Sequence, residues 1–372
     1  MLNYQKLALC IQEVSSELFE EFDHEVAQAR DVWVQTAAYQ GLADKIRSRK
    51  WGVLVPFWSG SIAECRTVPI IQQPYQVLAI DGSQIYYDRH QAPSCYLLNI
   101  GSVFFAYEVT KSFVHLNSEP SIVVNTHSNN GNDTELVNVA REILEFEQML
   151  AQALEWVKKY GTQSMLCLFD GSLLFMQKEQ LLDQQKVLFA RYIKVLETLM
   201  NHNILYAGYV SFPGSKELLN VVKLVAVDFD EQAAQNYALL HRLTDRDIAS
   251  LFLLPMHRSI VFEMKNFLSY LYPDALKPYF LYLHVGFEIV RIEVPAWIAR
   301  DAHHVDAVCA MVLDQVNKGF GYPVCLFEAH QQAVIKNHDR LLFYQMMQKM
   351  SMKKNRWYQV SLKSLKKMSM PV

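Results

Sequence analysis

The chain lacks any apolar run long enough to cross a bilayer, which excludes a helical membrane span as its organising feature. It also lacks an excess of positive charge. Its 35 Lys and Arg stand against 38 Asp and Glu, a net charge of −3. The field of the whole molecule therefore does not attract a polyanion, and any nucleic-acid site must be a local patch. No C-x-x-C pair occurs among the six cysteines, which argues against a zinc ribbon or a thiol redox motif. Several cysteines lie inside apolar runs, as reduced buried thiols do, so a cytoplasmic location is expected. The early acids Glu13, Glu17, Glu20 and Glu21 do not read as a secretory signal.

What is present supports a sizeable core. Of 372 residues, 51% are apolar and 12% aromatic, enough for one large domain or two ordinary ones. Two copies of one pattern organise the chain. Val77-Leu78-Ala79-Ile80 runs into Asp81-Gly82-Ser83, and Met165-Leu166-Cys167-Leu168-Phe169 runs into Asp170-Gly171-Ser172. Each apolar run reads as a strand buried on both faces. The aspartate stands where the backbone is expected to leave the sheet, and the glycine permits a sharp exit. One such copy would be turn chemistry. Two side by side put two carboxylates at one sheet edge, where they repel unless they share a cation or a proton.

Around these strands the periodicity outlines the other elements. Residues 1–48 read as two helices, with Leu7, Ile11, Val14, Leu18 and Phe22 at helical spacing. Residues 84–88, 95–107 and 112–125 read as a strand meander. Residues 134–160 read as one long helix whose apolar stripe includes Val137, Leu144, Ala151 and Leu154. Glu147 falls within that stripe, where a carboxylate is costly unless paired or metal-bound, so it is the expected third acid. Glu142 and Glu145 fall on the other side. A helix over 177–202, a strand over 204–212 and mainly helix over 217–254 follow. Lys216, just past the strand, is a possible phosphate contact. Residues 279–293 alternate as a strand, and 301–318 read as helix. Gly321-Tyr322-Pro323 then opens a helix that carries His330 and runs to about 349. The tail, 349–372, holds seven Lys and Arg without an acid, interrupted by Trp357 and Tyr358, and reads as a basic arm or a solvated tail.

The order of these features resembles the NurA family of DNA-repair nucleases. Asp-Gly-Ser after a strand, an acidic helix, a second Asp-Gly-Ser-Leu and a late Gly-Tyr-Pro…Ala-His carry the resemblance. Leu243-Thr244-Asp245, Arg258-Ser259 and Arg291-Ile292-Glu293-Val294-Pro295-Ala296-Trp297 extend it. It covers roughly residues 75 to 345. It implies an α/β fold, a ribonuclease H-like mixed sheet flanked by helices, to which the periodicity of residues 1–48 adds N-terminal helices. The expected division is a helical segment over 1–60, a nuclease domain over 61–348 and the tail over 349–372. The resemblance further implies manganese-dependent 5′→3′ exonuclease action on DNA, with single-strand endonuclease activity. It implies a homodimer that works with a HerA-type hexameric ATPase in end resection. The family's metal-site acids fall on Asp81 and Asp170, its histidine on His330 and its tyrosine on Tyr322. For the helical acid Glu147 is chosen, with Glu145 the alternative.

The chemistry agrees with this. Phosphodiester hydrolysis needs an activated water and neutralised charge on phosphate and leaving oxygen, which one or two divalent ions supply. Carboxylates of Asp81, Glu147 and Asp170 suit magnesium or manganese, and an imidazole from His330 favours manganese. His330 could instead protonate the leaving group or order the water. Tyr322 could stack on a base, hold a phosphate or simply pack beside Pro323. Two other classes stay open at this stage, a metal-dependent phosphohydrolase acting on RNA or nucleotides and a non-catalytic DNA-clamp subunit.

Overall fold

The computed structural model describes residues 2–86, 95–107, 112–124, 133–161, 164–175, 183–266 and 268–354. Ten strands run through these segments. They are β1 Cys65–Thr67, β2 Tyr75–Ile85, β3 Cys95–Tyr107, β4 Phe113–Val124, β5 Ser164–Asp170, β6 Leu205–Val210, β7 His257–Ser259, β8 Phe262–Glu263, β9 Pro278–His284 and β10 Ile289–Pro295. Two compact units divide the chain, each drawn from several stretches of sequence.

The first unit gathers Met1–Ile71, Gly171–Leu174 and Ala207–Leu313. Its strands pair antiparallel in the order β1-β7-β9-β10, followed by the Gly208–Val210 part of β6, and β8 also pairs β9. β9 and β10 form a hairpin, so the alternating stretch over 279–293 is two strands and not one. The turn between them contains Gly286, whose φ of 97° breaks the extended run. Where two N-terminal helices were expected, one continuous helix spans Tyr4–Ala38, capped by Asn3 Oδ1 accepting from the Lys6 amide at 3.1 Å. The short helix Leu42–Arg47 follows. Leu7, Ile11 and Val14 are exposed, and the long helix buries Ala29 and Trp33 instead. Trp33 stacks on Phe252 with ring centroids 4.7 Å apart. The helix Glu217–Ala226 buries five apolar side chains in the same core.

The second unit gathers Gln72–Asp170, Phe175–Tyr206 and Asp314–Val372. Its sheet runs β5-β2-β3-β4. β2, β3 and β4 form an antiparallel meander, and β5 returns parallel to β2. The helix Asp133–Tyr160 makes the crossover that a parallel return requires. This is an α/β arrangement of a mixed sheet flanked by helices. The crossover helix packs through buried Phe146, Met149, Ala153 and Trp156, and Trp156 stacks on Phe104 at 4.2 Å. A further helix spans Asp183–Asn201. The late helix expected to continue to about 349 is two helices, Val324–Ala333 and Asn337–Lys353. Of the basic tail, residues 355–372 lie outside the described residues.

Among the described residues no helix is long and apolar enough to cross a membrane. All six cysteines are free thiols.

Candidate active site

The two aspartates meet through strand register. β2 and β5 pair in parallel from Tyr75↔Ser164 to Ile80↔Phe169. The next residue on each strand is Asp81 and Asp170, so the acids occupy neighbouring positions where the pairing stops. Parallel neighbours lie about 4.8 Å apart in the hydrogen-bonding direction. The second copy behaves as the sequence suggests, since β5 ends at Asp170 and Gly171 turns with φ 109°. The first copy does not. β2 continues through Asp81-Gly82-Ser83 to Ile85, because β3 stays beside it as Asp81↔Gly101, Gly82↔Ile100 and Ser83↔Asn99.

Glycines here serve close approach. A Cβ on Gly101 would lie 2.5 Å from the Ala329 carbonyl oxygen and 2.6 Å from the Gln332 carbonyl carbon. The helix Val324–Ala333 therefore rests main chain to main chain on β3. Asn99 Nδ2 donates to the Ala333 carbonyl at 2.8 Å, and the Ser83 hydroxyl donates to it at 2.5 Å. This seating brings His330, in the last turn of that helix, over β2, where its Nδ1 lies 2.7 Å from Asp81 Oδ2. The sequence reading placed His330 near a helix start. On the other helix contact, a Cβ on Gly82 would lie 3.0 Å from Arg141 Cγ and 3.1 Å from Glu145 Cδ.

Of the two candidate helical acids, Glu145 lies against Gly82, next to Asp81, and Glu147 does not. Glu147 lies two residues further on, about 200° round a helix of 3.6 residues per turn. Both its carboxylate oxygens are taken by Arg191, at 2.9 and 2.7 Å. Glu145 instead pairs with Arg141 one turn earlier, and Arg141 Nη1 also donates to the Gly82 carbonyl at 3.0 Å. Lys216 belongs to the first unit, where its ammonium donates to the His241 carbonyl at 2.7 Å. Tyr322 donates its hydroxyl hydrogen bond to the Asp170 carboxylate, a role that sequence reasoning missed. Glu142 and Arg141 were also missed as members of the cluster. The spacing of Arg141 and Glu145, four apart on one helix face, was a legible signal.

The cluster is electrostatically crowded. Burial, first of all, pushes the Glu145 carboxyl up to about 8; Arg141 opposes this, and the charges of Asp81 and Glu142 add to it. Burial likewise pushes Glu142 up to about 7, against Arg141. Asp170 is also held above the usual carboxylate range. Desolvation is the main cause, Asp81 adds to it, and the Tyr322 hydrogen bond and His330 pull the other way. Such carboxyls hold uncompensated negative charge once ionised, which a cation relieves.

The donor set, two aspartates and a glutamate with one imidazole, suits a hard divalent ion such as manganese. Among the described residues, however, no three His, Cys, Asp or Glu side chains are already grouped as a ready cage. Asp81 is committed to His330 and Glu145 to Arg141, so an ion would enter in competition with those pairs.

Within a mixed sheet flanked by helices, Asp81 and Asp170 stand side by side where the parallel pairing of β2 and β5 stops, and the chain falls among the metal-dependent nucleases. The NurA domain matches residues 75–335, well over half of the sequence, and the chain belongs to the NurA family. Solved structures with similarity include NurA with manganese, 11% identical over 90% of this chain and 96% of that one, TM-score 0.37. NurA bound to dAMP and manganese is 13% identical over 90% and 94%, TM-score 0.36. RuvC of Thermus thermophilus is 13% identical over 47% of this chain and 95% of its own, TM-score 0.17. No curated protein matches the chain.

Proposed function

We propose that the chain is a manganese-dependent DNA nuclease, cutting DNA as a 5′→3′ exonuclease and nicking single strands. The observation that carries this is the in-register placement of Asp81 beside Asp170, with His330 on one and Tyr322 on the other. Asp81, Asp170 and Glu145 would hold the ion, with His330 completing the set. The bound ion would supply an activated water and neutralise phosphate charge. Family membership supports action in end resection as a homodimer beside a HerA-type ATPase, and the seven Lys and Arg of the tail support its contact with DNA.

The chain's own residues do the rest. Tyr322 keeps the Asp170 carboxylate ionised and oriented by donating to it. Asp81 fixes the His330 ring through Nδ1, which leaves Nε2 of this half-exposed side chain to give or take a proton at the leaving oxygen. Arg141 has a buried Nε–H with no acceptor among the described residues, a donor suited to a phosphate oxygen.

The test is cleavage of DNA, RNA and mononucleotides by wild type, Asp81→Asn and Asp170→Asn, with manganese and with magnesium. DNA cleavage that needs the ion and falls at least about 10²-fold in both variants is expected. Near wild-type cleavage by either at saturating manganese sinks the assignment.

A further inference from the structure

The first unit contains a polar cavity, of about 450 Å³, that the nuclease chemistry does not use. That volume is of small-molecule size. Its lining is unusual in charge. Arg47, Arg66, Arg258 and Arg300 face one carboxylate, Glu263, and that carboxylate is paired with Lys265 at 2.5 Å.

Two of the arginines come from facing strands. Arg66 of β1 and Arg258 of β7 are direct partners in the antiparallel ladder, so their side chains leave the same face of the sheet. Like charges directly opposite one another destabilise a sheet. A fold keeps such a pair when something anionic lies between or above them. Arg258 is only 2% exposed and is among the largest fully buried side chains of the described residues. Asp306 accepts from its Nε at 2.8 Å and pairs with Nη2 at 2.7 Å, and the Ser259 carbonyl accepts from Nη1 at 3.1 Å. A guanidinium has five N–H groups, so donors remain after these three contacts.

Two of the other arginines are held by acids from outside the lining. Glu64 pairs with Arg66 at 2.7 Å, and Asp274 pairs with Arg300 at 2.9 Å. Arg47 donates to the Trp58 carbonyl at 2.7 Å and sits 5.7 Å from the centre of the Phe57 ring. None of the acids Glu64, Asp274 and Asp306 lines the cavity, so they fix the guanidiniums in place without filling the space the guanidiniums face. Planar forks arranged this way match phosphate oxygens bidentately, which ammonium groups do not.

We infer that this cavity is a binding site for a phosphate-bearing ligand of nucleotide size, separate from the acid cluster. The phosphate comes either from a free nucleotide or from the terminal phosphate of a DNA strand.

Calorimetric titrations of the full chain in EDTA test this, because removing divalent ions silences the metal-dependent site. The probes are inorganic pyrophosphate, dAMP, and one short single-stranded DNA bearing either a 5′-phosphate or a 5′-hydroxyl. Pyrophosphate should bind, and the double variant Arg66→Gln/Arg300→Gln should weaken it at least tenfold. Both of those arginines are about half exposed, so the variant is expected to fold, which its unfolding curve checks. Removing the lining carboxylate with Glu263→Gln should tighten binding. Asp81→Asn/Asp170→Asn should leave it unchanged, which separates this site from the nuclease assignment. A preference for the 5′-phosphorylated strand over its 5′-hydroxyl form, abolished by the double arginine variant, identifies a strand end as the source. Equal binding of dAMP and pyrophosphate without that preference identifies a free nucleotide. Binding unaffected by the double variant, or no binding of any phosphate probe, overturns the inference.

Discussion

Gly101→Ala tests how the site is assembled. A methyl group there would meet main-chain atoms of Ala329 and Gln332 at 2.5 and 2.6 Å, where ordinary contact begins near 3.4 Å. Those atoms belong to a helix and cannot rotate away as a side chain would. The helix Val324–Ala333 must therefore retreat by about 1 Å. The His330–Asp81 contact of 2.7 Å then opens beyond hydrogen-bond length, and the donations from Asn99 and Ser83 to Ala333 stretch with it. Forcing a methyl into packed main chain costs about 1–3 kcal/mol. A misplacement of about 1 Å in a reacting constellation costs on the order of 10²-fold in rate. Thermal unfolding and manganese-dependent cleavage, measured side by side, are the assay. The expected result is a modest loss of melting temperature with a disproportionate loss of cleavage. Wild-type cleavage with wild-type stability would refute the close seating of helix on strand as the device that positions His330.

The remaining predictions concern the acids and the tyrosine. The folded Glu145 carboxyl sits at about 8, above its ordinary 4.5, so the folded chain binds the extra proton between those values. In EDTA, this group's contribution to stability should be fullest below about pH 4.5 and be lost as pH rises through about 8. Glu145→Gln should be more stable than wild type at pH 8 by on the order of 2 kcal/mol, below a ceiling of about 5 kcal/mol for the whole displacement. The gain should vanish near pH 5, read from urea midpoints, and an identical pH slope in both proteins would count against the assignment. Glu145→Gln should also lower manganese-dependent cleavage at least about tenfold, whereas Glu147→Gln should leave it within about twofold. Finally, Tyr322→Phe should raise the Asp170 carboxyl further, so the acid limb of the pH–rate profile moves to higher pH. An unmoved limb would mean the hydroxyl does not act through Asp170.

Much of this architecture is legible in the sequence, for identifiable reasons. The apolar runs before Asp81 and Asp170 announce two buried strands because no other element of that length is apolar on both faces. Their parallel register follows from the helix between them. Less legible is what the same three residues do in each copy. Gly171 turns, whereas Gly82 stays extended, because β3 continues alongside one strand and nothing in the local sequence reports it. The placement of Glu147 is hard to read because an apolar stripe on a long helix is broad, and only Arg191 on another helix shows where its carboxylate points. The pairing of Arg66 with Arg258 lies beyond local reading altogether, since it is created by a ladder between strands far apart in the chain.

The fork in the sheet beyond Ile80 has a consequence for what holds Asp81 still. Where β5 departs, β2 loses a neighbour on one side and its main chain must find other partners. Around Gly82 these come from the cluster itself. The Gly82 amide donates to Asp81 Oδ1 at 2.8 Å, and its carbonyl accepts from Arg141 Nη1 at 3.0 Å. One carboxylate oxygen of Asp81 is thus anchored to its own backbone while the other meets His330. In solvent-exchange terms, the Gly82 amide reports on the acid directly. Asp81→Ala should speed its exchange with deuterium, and Asp81→Asn, which keeps an acceptor oxygen, should leave it slow while still abolishing cleavage.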